Sequence, residues 1–159
     1  MKHISIESIE KAIDKVDNLN DDGLEKLAET YALAQQTLLG YVMSAAIEYE
    51  NDQLEGLLIY YYCLISEAFA QGQAALSQIT EEDIEAFEEP FFEMLDAYFE
   101  NDQEDIIFDF TDQSELIRFM MIEITTKDND GTTLDDDTAT QLFIVSAAMI
   151  TLMNGAIKP

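Results

Sequence analysis

Apolar positions recur at helical spacing through most of the chain. Leu24, Leu27, Tyr31, Ala34, Leu38, Tyr41 and Ala45 are separated alternately by three and four residues, which puts them on one stripe of an α-helix. The stripe predicts one helix over about 23–49, with Asp21, Asp22 and Gly23 as its cap. After the polar break Glu50-Asn51-Asp52-Gln53, a second stripe through Leu54, Leu57, Leu58, Tyr61, Leu64, Ile65, Ala68 and Phe69 predicts a helix over about 53–77. The short connection between two long helices predicts an antiparallel hairpin spanning about 23–78. A shorter helix is expected at about 5–17, carrying Ile6, Ile9, Ile13 and Val16.

Thr80 followed by Glu81, Glu82 and Asp83 is an N-cap signature with an acid at the third helical position. The helix it opens holds Ile84, Phe87, Phe91, Met94, Leu95 and Tyr98, and Pro90 is expected to kink or split it. The run Ile106 to Phe110 reads as a helical turn or a short strand, with helix favoured. Asp112 with Glu115 reads as a cap for a helix at about 113–124. Asp128-Asn129-Asp130-Gly131 marks a loop. Asp135, Asp136 and Asp137 head a last helix over about 135–154, stopped by Asn154-Gly155. The expected fold is an all-α, single-domain bundle of about six helices over 1–159, with an acidic segment at 80–126 and a buried C-terminal core helix. Glu-Asn-Asp-Gln occurs at 50–53 and again at 100–103; with poorly matching flanks, two similar interhelical turns explain it better than a duplicated hairpin.

Composition narrows the chemistry. The 159 residues include 34 acids and 7 Lys or Arg, a net charge of -27, while 48% are apolar. That apolar share argues for a packed core despite the charge. So few cations leave little to contact phosphates, so direct nucleic-acid binding is not expected. One Cys, Cys63, allows no internal disulfide, and it has no basic neighbour to lower its pKa. The one His, His3, lies in an N-terminus expected to fray. The first residues lack the apolar core of an export signal. The longest apolar stretch, Leu142 to Met153, is 12 residues against about 20 for a membrane span. Cytoplasm is therefore the expected compartment, with no membrane contact. Gly40, Gly56 and Gly72 fall inside helical patterns, where close helix packing is the expected reason for them. No Gly-rich phosphate loop, nucleophile elbow or Glu-x-x-His motif is present, and no cofactor is implied. No pattern in the chain resembles a known family.

The charge is uneven. From Ala28 to Ile117 there is no Lys or Arg, and 81–115 holds 15 acids in 35 residues. On a continuous helix, Glu81, Glu85, Glu89, Glu93, Asp96 and Glu100 form a carboxylate stripe roughly opposite Ile84, Phe87, Phe91 and Leu95. Like charges at this spacing cost the helix about 0.2–0.5 kcal/mol each. The stripe reads as a solvated face that maintains solubility or as a docking surface for a basic protein. The expected function is a non-enzymatic interaction protein, immunity- or inhibitor-like or an adaptor, using those six residues. A DNA mimic is an alternative, since carboxylates one turn apart approach phosphate spacing. A carboxylate–metal enzyme using Mg²⁺ or Ca²⁺, or a calcium-responsive module, is another. Glu82-x-x-Glu85, Glu85-x-x-Glu88 and Glu93-x-x-Asp96 superficially match the acidic motifs of all-helical nucleotide pyrophosphatases, but are too close together for two facing helices. In the 126–137 loop, Asp128, Asp130 and Asp137 fall at calcium-ligand positions if Gly131 is the sixth residue, but Thr126 replaces the first ligand. The pairs Phe91-Phe92 and Met120-Met121 each place one apolar side chain off the core stripe, which leaves a homodimer open.

Overall fold

The computed structural model describes residues 3–126 and 134–158. Among them are eight helices and no strand: α1 (Ile6–Asp17), α2 (Asp21–Ala34), α3 (Gln36–Glu48), α4 (Gln53–Gln71), α5 (Glu81–Asn101), α6 (Glu104–Phe110), α7 (Ser114–Thr125) and α8 (Asp136–Gly155). The all-helical class holds, and the count exceeds the expected six or so. The ambiguous run at Ile106 to Phe110 is helical, in α6. The predicted helix at 53–77 ends at Gln71.

The core is built on two helices buried on nearly every side. In α4 every residue from Tyr61 to Phe69 is buried, and in α8 so are most residues from Leu142 to Asn154. They pack on one another; α1, α2 and α3 cover α4, while α3, α5 and α7 cover α8. Among the described residues, α8 is the one helix long and apolar enough to cross a membrane, and the greater part of it is buried inside the protein. On α1, Ile9, Ala12 and Val16 are buried at a three–four spacing, and Ser5 caps the helix by accepting from the Ser8 amide at 3.1 Å.

The helix expected over 23–49 is two helices, because Gln35 leaves the helical conformation (φ -139°, ψ 60°). Its buried side chain clamps the segment after α4: Nε2 donates to the Ser77 carbonyl at 2.9 Å, and Oε1 accepts from the Ile79 amide at 2.8 Å. Ile79 is buried with its amide, which needs a partner that water cannot supply. The same segment meets the C-terminus, where Ser77 N donates to Ala156 O at 2.8 Å and Lys158 N to Ala75 O at 2.8 Å.

Other local expectations also change. Asn20 caps α2, its Oδ1 accepting from Gly23 N at 2.8 Å. Asp112 does not cap α7, whose N-cap is Gln113. Gln113 is fully buried and joins three parts of the chain: Oε1 accepts from Ile4 N at 2.8 Å, and Nε2 donates to Asn154 Oδ1 at 2.9 Å. The N-terminal segment is thereby fastened, with His3 Nδ1 hydrogen-bonded to the Asp112 carbonyl at 2.8 Å. Gly72 does face a tight contact, since a Cβ there would lie 2.7 Å from Ile4 Cδ1. Gly40 and Gly56 face open space, so close packing does not account for them. The two Glu-Asn-Asp-Gln turns differ in construction: the left-handed residue is the first, Glu50, in one and the third, Asp102, in the other.

A buried ion pair links α1, α2 and α4. Glu67 is 1% exposed. Its carboxylate receives Lys15 Nζ at 2.8 Å, Gln71 Nε2 at 2.9 Å and the Tyr31 hydroxyl. Burial pushes the Glu67 pKa up, but these three donors outweigh it and hold it below the usual 4.5. A depressed carboxylate pKa contributes stability above the unfolded value, and the contribution disappears as pH falls through the folded one. Lys15 itself is 49% exposed, so solvent screens part of the pair. Lys15→Met should therefore cost about 1–2 kcal/mol at pH 7 in urea unfolding, and the gap to wild type should close as acid protonates Glu67. Gln35→Ala should cost about 1–3 kcal/mol in the same assay, because it leaves the Ile79 amide buried without its acceptor.

Candidate partner-binding face

The acidic stripe stands on α5, and local sequence fixes where that helix starts and stops. Thr80 and Asp83 form a reciprocal capping box, with Thr80 N donating to Asp83 Oδ2 at 2.9 Å and Asp83 N to Thr80 Oγ1 at 3.2 Å. At the other end Asp102 turns left-handed (φ 51°) and its amide donates to Tyr98 O at 2.9 Å. The helix is continuous through Pro90, so the chain is not split there into two helices. Pro90 removes the donor to the Ala86 carbonyl, and both residues lie on the exposed side, where water replaces the lost bond.

Ile84, Phe91, Met94 and Leu95 turn into the core, and Phe87 stacks on Phe91 with ring centroids 4.6 Å apart. All six predicted residues, Glu81, Glu85, Glu89, Glu93, Asp96 and Glu100, are exposed. At 100° per residue they fall within an arc of roughly 120°, so one uninterrupted helix brings them all to one face. Among the described residues no cation answers them. Lys11 pairs with Glu7, Lys15 with Glu67 and Arg118 with Glu115.

The face is not purely acidic. Phe92 is 46% exposed and Phe99 52% exposed, and the same helical arithmetic places both along one edge of the carboxylate arc, two turns apart. Of the apolar pair Phe91-Phe92, Phe92 is therefore the member off the core; of Met120-Met121, Met120 is buried and Met121 half-buried. Phe99 was missed in the sequence. Its signal is an aromatic at the position of Phe92 plus seven, on the acid side of the helix.

Among the described residues the metal-binding candidates do not form a site. Asp128 and Asp130 lie outside the described residues, and Asp137 is exposed in the first turn of α8. Neighbouring Asp135 is committed to capping α8, its Oδ1 accepting from Thr138 N at 2.7 Å, and the bonds from Thr138 hold its carboxyl below the usual range. Glu82, Glu85, Glu88, Glu93 and Asp96 all stand on α5, so these motifs are not divided between two facing helices. Among the described residues there is no group of three or more His, Cys, Asp or Glu arranged to hold a metal. Cys63 is buried in α4, and burial pushes its thiol up to about 11.

No family model, curated protein or solved structure matches this chain. The reading of the face therefore stands on its geometry and charge.

The stripe sets its carboxylates one turn apart, so their mutual repulsion opposes the helix. The triple variant Glu85→Gln, Glu89→Gln, Glu93→Gln should be more stable than wild type, by about 0.2–0.5 kcal/mol per relieved pair at low salt. Added salt should shrink the difference. Thermal unfolding at two ionic strengths measures both effects.

Proposed function

We propose that the protein is a non-enzymatic interaction protein that binds a basic protein partner through the exposed face of α5, in the manner of an immunity-type inhibitor or an adaptor. The observation that carries this reading is the pairing of the six carboxylates with Phe92 and Phe99 on one solvent-facing helix surface. Exposed apolar side chains occur elsewhere too, Leu33 and Ile47 among them; what marks this face is that its two phenyl rings lie along the edge of an acidic stripe. A binding face uses both: charge steers the encounter and sets register, while aromatic side chains supply the buried contacts that hold the complex. The compartment that goes with this reading is the cytoplasm.

Immobilised protein loaded with lysate of the source organism at low salt should retain a defined basic protein and release it in a salt step. Glu85→Lys, Glu89→Lys, Glu93→Lys combined should remove that capture while leaving the circular dichroism spectrum helical. Phe92→Ser with Phe99→Ser should reduce capture at unchanged net charge. An empty eluate, or equal capture by the charge-reversed protein, overturns the proposal.

A further inference from the structure

Beside the acidic stripe, where α3 and α8 meet the middle of α5, the surface sinks into a cleft of about 100 Å³. Aromatic rings line part of it, Tyr41 and Tyr49 from the α3 end and Phe92 from α5, and Ile144, Val145 and Ala148 of α8 line another part. Two carboxylates share the same cleft, Glu48 from α3 and Glu88 from α5. Glu88 is half-buried and Glu48 is exposed, and neither acid has a salt-bridge partner among the described residues. A cation that enters between two carboxylates without a salt-bridge partner is attracted by both. Aromatic rings add to that attraction, because their faces carry partial negative charge. Its acids set it apart from the groove beside Phe99. The groove beside Phe99 is lined by Met121, Ile124, Ala139 and Phe143 with no acid at all.

We infer that this cleft receives an arginine side chain of the basic partner, with the guanidinium held between Glu48 and Glu88 and its flat face against Tyr41, Tyr49 or Phe92. Arginine fits better than lysine on two counts. Its planar group presents several N–H donors to the carboxylates at once, and it stacks on aromatic rings, whereas an ammonium is a compact and strongly hydrated point charge. Burial, followed by the charges of Glu88 and Glu48, pushes Tyr41 up to about 12, which puts both carboxylates within electrostatic reach of its hydroxyl. By helical arithmetic Glu88 lies between the core positions Ile84 and Leu95 and the carboxylate arc, so an anchor seated here would align the rest of a partner along the stripe. The identity of the arginine's donor rests on the proposed partner reading; the cation selectivity of the cleft does not.

The test is a ¹H–¹³C NMR titration of the aromatic resonances of the full chain with N-acetyl-arginine amide, the lysine analogue and the uncharged citrulline analogue. The arginine probe is expected to shift Tyr41, Tyr49 and Phe92 with saturation, the lysine probe to bind more weakly, and citrulline to leave them in place. Glu48→Gln with Glu88→Gln should weaken the arginine affinity by about tenfold, whereas Glu89→Gln with Glu93→Gln, equal in charge removed, should change it by about twofold or less. Tyr49→Ala, at the partly exposed rim of the cleft, supplies a second variant should the double change disturb folding. Equal losses in the two charge-matched variants, or shifts with citrulline as large as with arginine, overturn the inference. Arginine binding retained when the stripe captures no partner would separate a failed partner reading from a sound cleft.

Discussion

Two helices buried on nearly every side, α4 and α8, constrain everything around them. A helix satisfies its own backbone, so it can sit at the centre of a core; the segments that lead into and out of it cannot. The structure resolves this with side-chain amides. Gln35 supplies an acceptor and a donor to the segment after α4, and Gln113 does the same between Ile4 and Asn154 at the end of α8. A glutamine suits both places because one side chain offers both polarities, at the reach of three methylene or carbonyl carbons. The one described buried side-chain polar atom left without a partner is the Ser146 hydroxyl, inside α8 itself.

A net charge of -27 leaves few cations to place, and one of them is spent on a buried acid. Lys15 reaches the fully buried Glu67, where Tyr31 and Gln71 complete the carboxylate's hydrogen bonds. That arrangement ties α1 and α2 to α4, and α2 depends on it more than the other long helices, since none of its own residues is fully buried. On α5 the acids follow another rule. They are left unpaired and exposed, and only the core contacts of Ile84, Phe91, Met94 and Leu95 hold the helix against their repulsion.

Much of the helical organisation was legible in the spacing of apolar residues, because burial enforces a three–four period wherever a helix faces the core. Thr80 with Asp83 was legible for a local reason, the capping box. What escaped is tertiary. Nothing near Gln35 signals a break; the stripe runs through it, and the break exists because a segment more than 40 residues away needs its side chain. His3 reads as frayed because its fastening, at Asp112, lies at the other end of a 109-residue separation. At α5 the six acids were legible as a stripe, yet Pro90 argued for an interruption, and only the exposure of Ala86 and Pro90 explains why none occurs. The aromatic members of the face were half legible. Phe91-Phe92 announces that one ring must leave the core, whereas Phe99, Tyr49 and the convergence of α3 on α5 require the packed structure.

Continuity through Pro90 also makes the acidic face a rod of definite length. From Glu81 to Glu100, at about 1.5 Å per residue, it spans roughly 28 Å. The screening length in physiological salt is about 8 Å. A compact knot of positive charge placed anywhere along the rod would therefore feel only the few carboxylates nearest to it. A partner that carries the same charges drawn out along a helix or an extended segment would meet all of them. The geometry selects for the shape of a charge distribution as well as for its sign, and two partners of equal isoelectric point would not be equivalent to it.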